Sequence, residues 1–181
     1  MIYHFSLQTV GLIAGGLLVV LALLGLVLPA RNFLPRFPRS RVAGVTLLTI
    51  DLIWSFWLLA TMEMGEFSNF RRPLLIALPI GYFLVLAFVD EFLAVRAMGI
   101  LCLLAADPLL EAAFLRPEIS RLLVVVLAYL MILAGLLWVT MPYLLRNQIA
   151  WSTKHSGLWR VVAGATLVFG LAIVTCAFRF Y

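Results

Sequence analysis

Charged side chains make up only 12% of the 181 residues. A soluble domain carries about a quarter, and a chain this poor in charge cannot cover an aqueous surface. Histidine is rarer still, with His4 and His155 alone. Both lie outside the apolar runs, so no span offers the imidazole that usually holds a haem or pigment axially; haem and axially His-ligated pigment are disfavoured. Two cysteines, Cys102 and Cys176, sit far apart inside apolar runs with no C-x-x-C. That spacing argues against a disulfide framework, a dithiol redox centre and a thiolate metal site, and leaves small packing residues. The polar intervals reach only about a dozen residues, too few for a soluble domain. No Ser/His/Asp set, H-E-x-x-H or Gly-rich phosphate loop occurs. No catalytic residue, metal ligand or required cofactor is expected, and an enzyme is the least favoured class; a bound lipid or quinone stays open.

What is present is apolar: 65% hydrophobic residues and a mean hydropathy of +1.15. Runs of roughly 18 or more apolar residues recur, each long enough to cross ~30 Å of hydrocarbon as a helix. The expected fold is all-α, a polytopic membrane helix bundle forming one transmembrane domain over 1–181. Six spans are expected near 9–28, 42–62, 73–89, 91–106, 121–144 and 160–178. The N-terminal "MIYHFSLQTV" lacks a basic n-region and "VLPARN" is a poor cleavage site, so the first run reads as a permanent span.

Twelve arginines and one lysine give a net charge of +5. They are scattered between spans, which argues against nucleic acid and for membrane topology. With six spans, one side collects Arg31, Arg36, Arg39, Arg41, Arg96, Arg146, Lys154 and Arg160; the other has Arg71, Arg72, Arg116, Arg121 and Arg179. Both termini are then expected to face outward from a bacterial-type inner (cytoplasmic) membrane. If the short fourth segment did not cross, the two basic loops would fall on opposite sides, so six spans are kept. Trp151 and Trp159 bracket the last basic loop as aromatics do at a headgroup boundary. Asp107 followed by Pro108 reads as an N-cap and first-turn pair. The piece "PLLEAAFLR" after it reads as a short helix lying on the outer interface, following the fourth span.

One residue resists this description. In "LLTIDLIWSFWLL", Asp51 sits about 13 Å into the second span at ~1.5 Å per residue. A charge at that depth costs ~2.5 kcal/mol or more. Protonation is one way out and a partner is another. Ser55 lies one turn away on the same face, in line with Leu48 and Gly44, and small residues favour packing against a helix over lipid. The best placed cation is Arg96, about 7 Å into the fourth span, leaving ~6 Å of depth between the two Cα atoms. An Asp51–Arg96 ion pair is therefore expected to tie spans two and four. The competing reading is that Arg96 reaches to lipid phosphates and Asp51 bonds locally. The remaining acids lie near span ends, where "VDEFLAVR" and "DPLLE" read as helix-start acids. A single deep carboxylate is thin for a proton pump, which usually needs a relay.

Gly11 and Gly15 form a G-x-x-x-G that permits close helix approach. Pro79 and Gly81 are expected to kink the third span. No internal repeat mirrors spans one to three in four to six, which weakens an inverted-repeat transporter. Two functions are carried forward. The first is a non-catalytic accessory or assembly subunit of a larger membrane complex, whose partners are lipid and other membrane subunits or itself. The second is a small oligomeric ion-coupled transporter or channel using Asp51.

Overall fold

The computed structural model describes residues 5–27, 34–89, 92–154 and 156–179. Every regular element among them is helical: α1 (Leu7–Val27), a 3-10 segment (Leu34–Arg39), α2 (Arg41–Thr61), a second 3-10 segment (Gly65–Phe70), α3 (Arg71–Phe88), α4 (Leu93–Ala113), α5 (Arg121–Thr140), α6 (Tyr143–Lys154) and α7 (Ser156–Arg179). Helix is the form that satisfies every backbone N–H and C=O within one segment, as hydrocarbon demands. Six helices, all but α6, are long and apolar enough to cross a membrane. Their starts follow ordinary capping chemistry. Ser6 accepts from the backbone N–H of Thr9 at 3.1 Å and Ser40 from that of Ala43 at 3.2 Å, each taking up an orphan donor of a first turn.

Two antiparallel pairs form the densest part. In α1 and α7, a Cβ on Gly15 would lie 3.0 Å from the carbonyl oxygen of Gly170, and one on Gly170 would lie 3.1 Å from that of Gly15. In α4 and α5 the same reciprocity joins Gly99 and Gly135, at 2.9 and 2.7 Å. Such glycines let two backbones approach until dispersion contacts hold them. The pairs meet in a core of Leu7 and Val10 from α1, Leu109 and Ala112 from α4, Val124 and Ala128 from α5, and Ile173 from α7. Gly15 thus packs within the chain, and Gly11 is also buried.

Helix α2 joins through α4. A Cβ on Gly44 would meet the Ala94 nitrogen at 2.8 Å, and Leu48 clusters with Leu93 and Ala97. Rising numbers match rising numbers, so α2 and α4 run parallel. α3 lies outermost, packs appreciably only on α2, and buries no residue. It runs unbroken through Pro79, and a Cβ on Gly81 would meet nothing within 4 Å.

Two boundaries differ from expectation. α4 does not stop before Asp107; it continues through Asp107 and Pro108 to Ala113. The helix expected on the outer interface after the fourth span is therefore the last turns of α4. Proline inside a membrane helix is tolerated where neighbours support the freed backbone. Here Leu109, Ala112 and Ala113 are buried in the four-helix core, and that packing overrides the local start signal. The short extra helix is instead α6, within the basic interval expected to be a loop. It packs against α5, α7 and the Leu34–Arg39 segment.

Candidate functional site

Asp51 is the middle residue of α2, ten residues from Arg41 and ten from Thr61, hence ~15 Å from either end. It is 2% exposed and is the one buried charged side chain among the described residues. The buried residues of α2 are Gly44, Leu48 and Asp51, at spacings of four and three. They form one stripe on a helix of 3.6 residues per turn, the stripe that packs against α4. Across that interface Cys102 lies within reach of the carboxylate's field.

Neither carboxylate oxygen has a hydrogen-bond partner among the described residues. Ser55, one turn on and half-buried, does not supply one. The expected Asp51–Arg96 contact is not made either, and the buried Nε of Arg96 has no partner. The geometry gives the reason. Leu48 clusters with Ala97, so Asp51 stands ~4.5 Å above that level and Arg96 ~1.5 Å below it. Arg96 is also ~100° around α4 from Ala97. Helical side chains lean toward their own N-terminus, which carries Arg96 toward the start of α4 and away from Asp51. The depth separation was legible in the sequence; the rotation about α4 was not, because it depends on which face α2 occupies.

The lateral tie from this stripe is to α3. The Thr49 hydroxyl and the Tyr82 phenol lie 2.9 Å apart, and Tyr82, Val85 and Leu86 pack beside Leu48. On the side of α2 turned from α4, Ile50, Ile53 and Trp57 are exposed, and with Trp54 they line a shallow apolar depression.

The starts of α2, α4 and α7 share one rim with α6, the ends of α1, α3 and α5, and the Leu34–Arg39 segment, which packs on both α4 and α6. Trp159 of α7 donates its indole N–H to the carbonyl of Gly25 at 2.6 Å, satisfying one of the orphan acceptors in the last turn of α1. Arg146 of α6 lies 5.7 Å from the centroid of the Phe92 ring, in cation–π range. Arg36, Arg39 and Arg41 belong to this rim, with Lys154 and Arg160. At the opposite rim Arg71 donates to the carbonyl of Met62, and Arg121 donates to that of Ala113 at 3.2 Å. Arginines there close the ends of neighbouring helices.

Among the described residues no three His, Cys, Asp or Glu converge in a way that could hold a metal ion. His4, Arg31, Asp90, Glu91 and His155 lie outside the described residues. The glycines Gly99, Gly135 and Gly170 were not singled out by the sequence; their signal exists only once the facing helix is known. Comparison with known proteins finds no matching family model, curated protein or solved structure.

Proposed function

We propose that this membrane protein is a non-catalytic accessory or assembly subunit of a larger complex in a bacterial-type inner membrane. Its basic rim faces the cytoplasm and both termini face outward, as the arginine distribution favours. The observation that carries the reading is α3: it has no buried residue and, among the described helices, packs appreciably on α2 alone. Without a hydrophobic driving force between helices in lipid, membrane helices are held by close packing and hydrogen bonds. α3 has little of either within its own chain. Its exposed face, with Ile76, Ile80, Phe83 and Phe88, supplies the surface on which a neighbouring membrane subunit would pack.

The test is extraction from the native membrane in a gentle detergent and mass measurement of the intact particle. A photo-crosslinker at Phe83 reads the same face. Foreign subunits in fixed stoichiometry, crosslinked through Phe83, are the expected result. A lone homo-oligomer with crosslinks only to itself or to lipid overturns the reading.

Asp51 favours a second reading, an oligomeric ion-coupled carrier. A buried ionisable residue in a membrane helix is commonly functional, and its two oxygens lack a hydrogen-bond partner among the described residues. Asp51→Asn separates the two. A carrier loses flux while staying folded, whereas an accessory subunit keeps its place in the complex.

A further inference from the structure

We infer that the basic rim holds a binding site for the phosphodiester of an anionic phospholipid, built on Arg96 and Arg146 around Phe92. Three observations bring the site together. Arg146 reaches from α6 over the Phe92 ring, 5.7 Å from its centroid. Arg96 stands in the first turn of α4, its backbone N–H donating to the carbonyl of Phe92 at 3.2 Å, and helical side chains lean back toward the start of their own helix. The Leu34–Arg39 segment packs on both α4 and α6 and adds the exposed Arg36 and Arg39.

Neither central guanidinium meets a described acid. Arg146 has a polar contact with the neutral side-chain oxygen of Asn147 at 3.4 Å, and the buried Nε of Arg96 has no partner among the described residues. An anion beside Phe92 would draw on both guanidinium groups, and the planar fork of arginine matches phosphate oxygens in particular. The rim stands at the ends of six membrane-length helices, the depth at which lipid headgroups lie. A lipid delivers its phosphate to that depth with acyl chains that continue along the exposed apolar helix faces, which a free phosphate lacks. Basic pockets between spans are suited to this chemistry.

The experiment uses the purified full-length chain in a neutral detergent. It is titrated with dioleoylphosphatidylglycerol or dioleoylphosphatidylcholine, and bound lipid is counted by native mass spectrometry. The expected result is phosphatidylglycerol held in preference to phosphatidylcholine. Neutralising each arginine weakens that binding about fivefold, and Arg96→Gln with Arg146→Gln together weaken it about 30-fold, leaving phosphatidylcholine unchanged. The Arg96→Lys, Arg146→Lys pair keeps the charge and most of the preference, which guards against a folding defect. Arg72→Gln with Arg116→Gln, at the other rim, changes nothing. The proposal falls if the wild-type chain shows no preference, or if the preference survives the double glutamine variant. It falls equally if millimolar inorganic phosphate displaces the lipid, which makes free phosphate the ligand. Asp90 and Glu91 precede Phe92 in the sequence; a preference that emerges only in Asp90→Asn, Glu91→Gln shows the arginines to be neutralised internally and also overturns it.

Discussion

The α1–α7 and α4–α5 pairs and the α2–α3 wing face the same problem, holding apolar helices together where apolar surface alone gives no reason to associate, and they meet it differently. In the pairs, glycine faces glycine: the two backbones touch at Gly15 and Gly170 and again at Gly99 and Gly135. Side chains from all four helices then close one continuous core. In the wing the close glycine approach is Gly44 of α2 on Ala94 of α4, and beyond it the stripe of α2 presents to α4 a carboxylate with no hydrogen-bond partner among the described residues. α3 is fastened through one hydroxyl pair and a few half-buried apolar contacts. The pairs complete their packing within the chain and the wing does not. A chain whose fold were its whole purpose would gain by replacing Asp51 with leucine and giving α3 a small-residue face.

The sharpest way to break that contrast is to add one carbon to each region. Gly135→Ala places a Cβ 2.7 Å from the carbonyl oxygen of Gly99 and 2.9 Å from Leu103. A backbone atom cannot step aside as a side chain can, so the two helices must part, at about 2–3 kcal/mol. The loss is read as lower resistance to unfolding in mixed detergent. Gly81→Ala in α3 meets open space and leaves stability unchanged or slightly raised. Equal losses at the two positions would show that α3 packs as tightly as α5.

Asp51→Leu comes next, with the opposite sign. If the carboxylate has no partner inside the chain, an apolar side chain of similar size raises stability by about 2 kcal/mol, close to the penalty for a charge at the bilayer centre. Asp51→Asn gains less, because the amide remains unsatisfied. A destabilised Asp51→Leu would show that something outside this chain bonds the carboxylate, and the same variant should then fall out of its complex. A smaller effect belongs to Trp159→Phe. It keeps an aromatic side chain but removes the donor to Gly25 and the part of the indole packed beside it, costing about 1 kcal/mol for the hydrogen bond and loosening the basic-rim end of α1.

How much of this was open to the sequence follows from the same contrast. The six spans were legible because hydropathy over a span is a local property, set by the thickness of hydrocarbon. The stripe of Gly44, Leu48 and Asp51 was legible because helical period places them in line. What escaped depended on another helix. The Asp107–Pro108 pair has the form of a helix start, and only the burial of Leu109, Ala112 and Ala113 by α1 and α5 makes it an interior. Gly16 and Gly15 are neighbours in one Gly-rich run, yet a Cβ on Gly16 would meet nothing within 4 Å while one on Gly15 would lie 2.8 Å from Val174 and 3.0 Å from the carbonyl oxygen of Gly170. The G-x-x-x-G spacing marks Gly15 with Gly11, but that its neighbour is α7 of the same chain could not be read within α1. Arg96 fits the same account: its depth relative to Asp51 could be counted along the helix, while its direction around α4 could not.

The smallest expected effect is also the most specific to the wing. Tyr82→Phe removes the phenol that meets the Thr49 hydroxyl at 2.9 Å and changes nothing else in the contact. Hydrogen bonds between membrane helices average about 0.6 kcal/mol, so global unfolding should barely register it. In the pairs, such a loss would be lost among many contacts. In the wing it is the one hydroxyl pair seen between α2 and α3, and the separation of those two helices should answer to it. Spin labels at Phe56 and Phe83, both exposed, would read that separation; a broader distance distribution in Tyr82→Phe at unchanged overall stability is the expected outcome. An unchanged distribution would mean that Val85 and Leu86 hold α3 without the hydroxyls, and that the wing is fastened by the same apolar contact as the rest of the bundle.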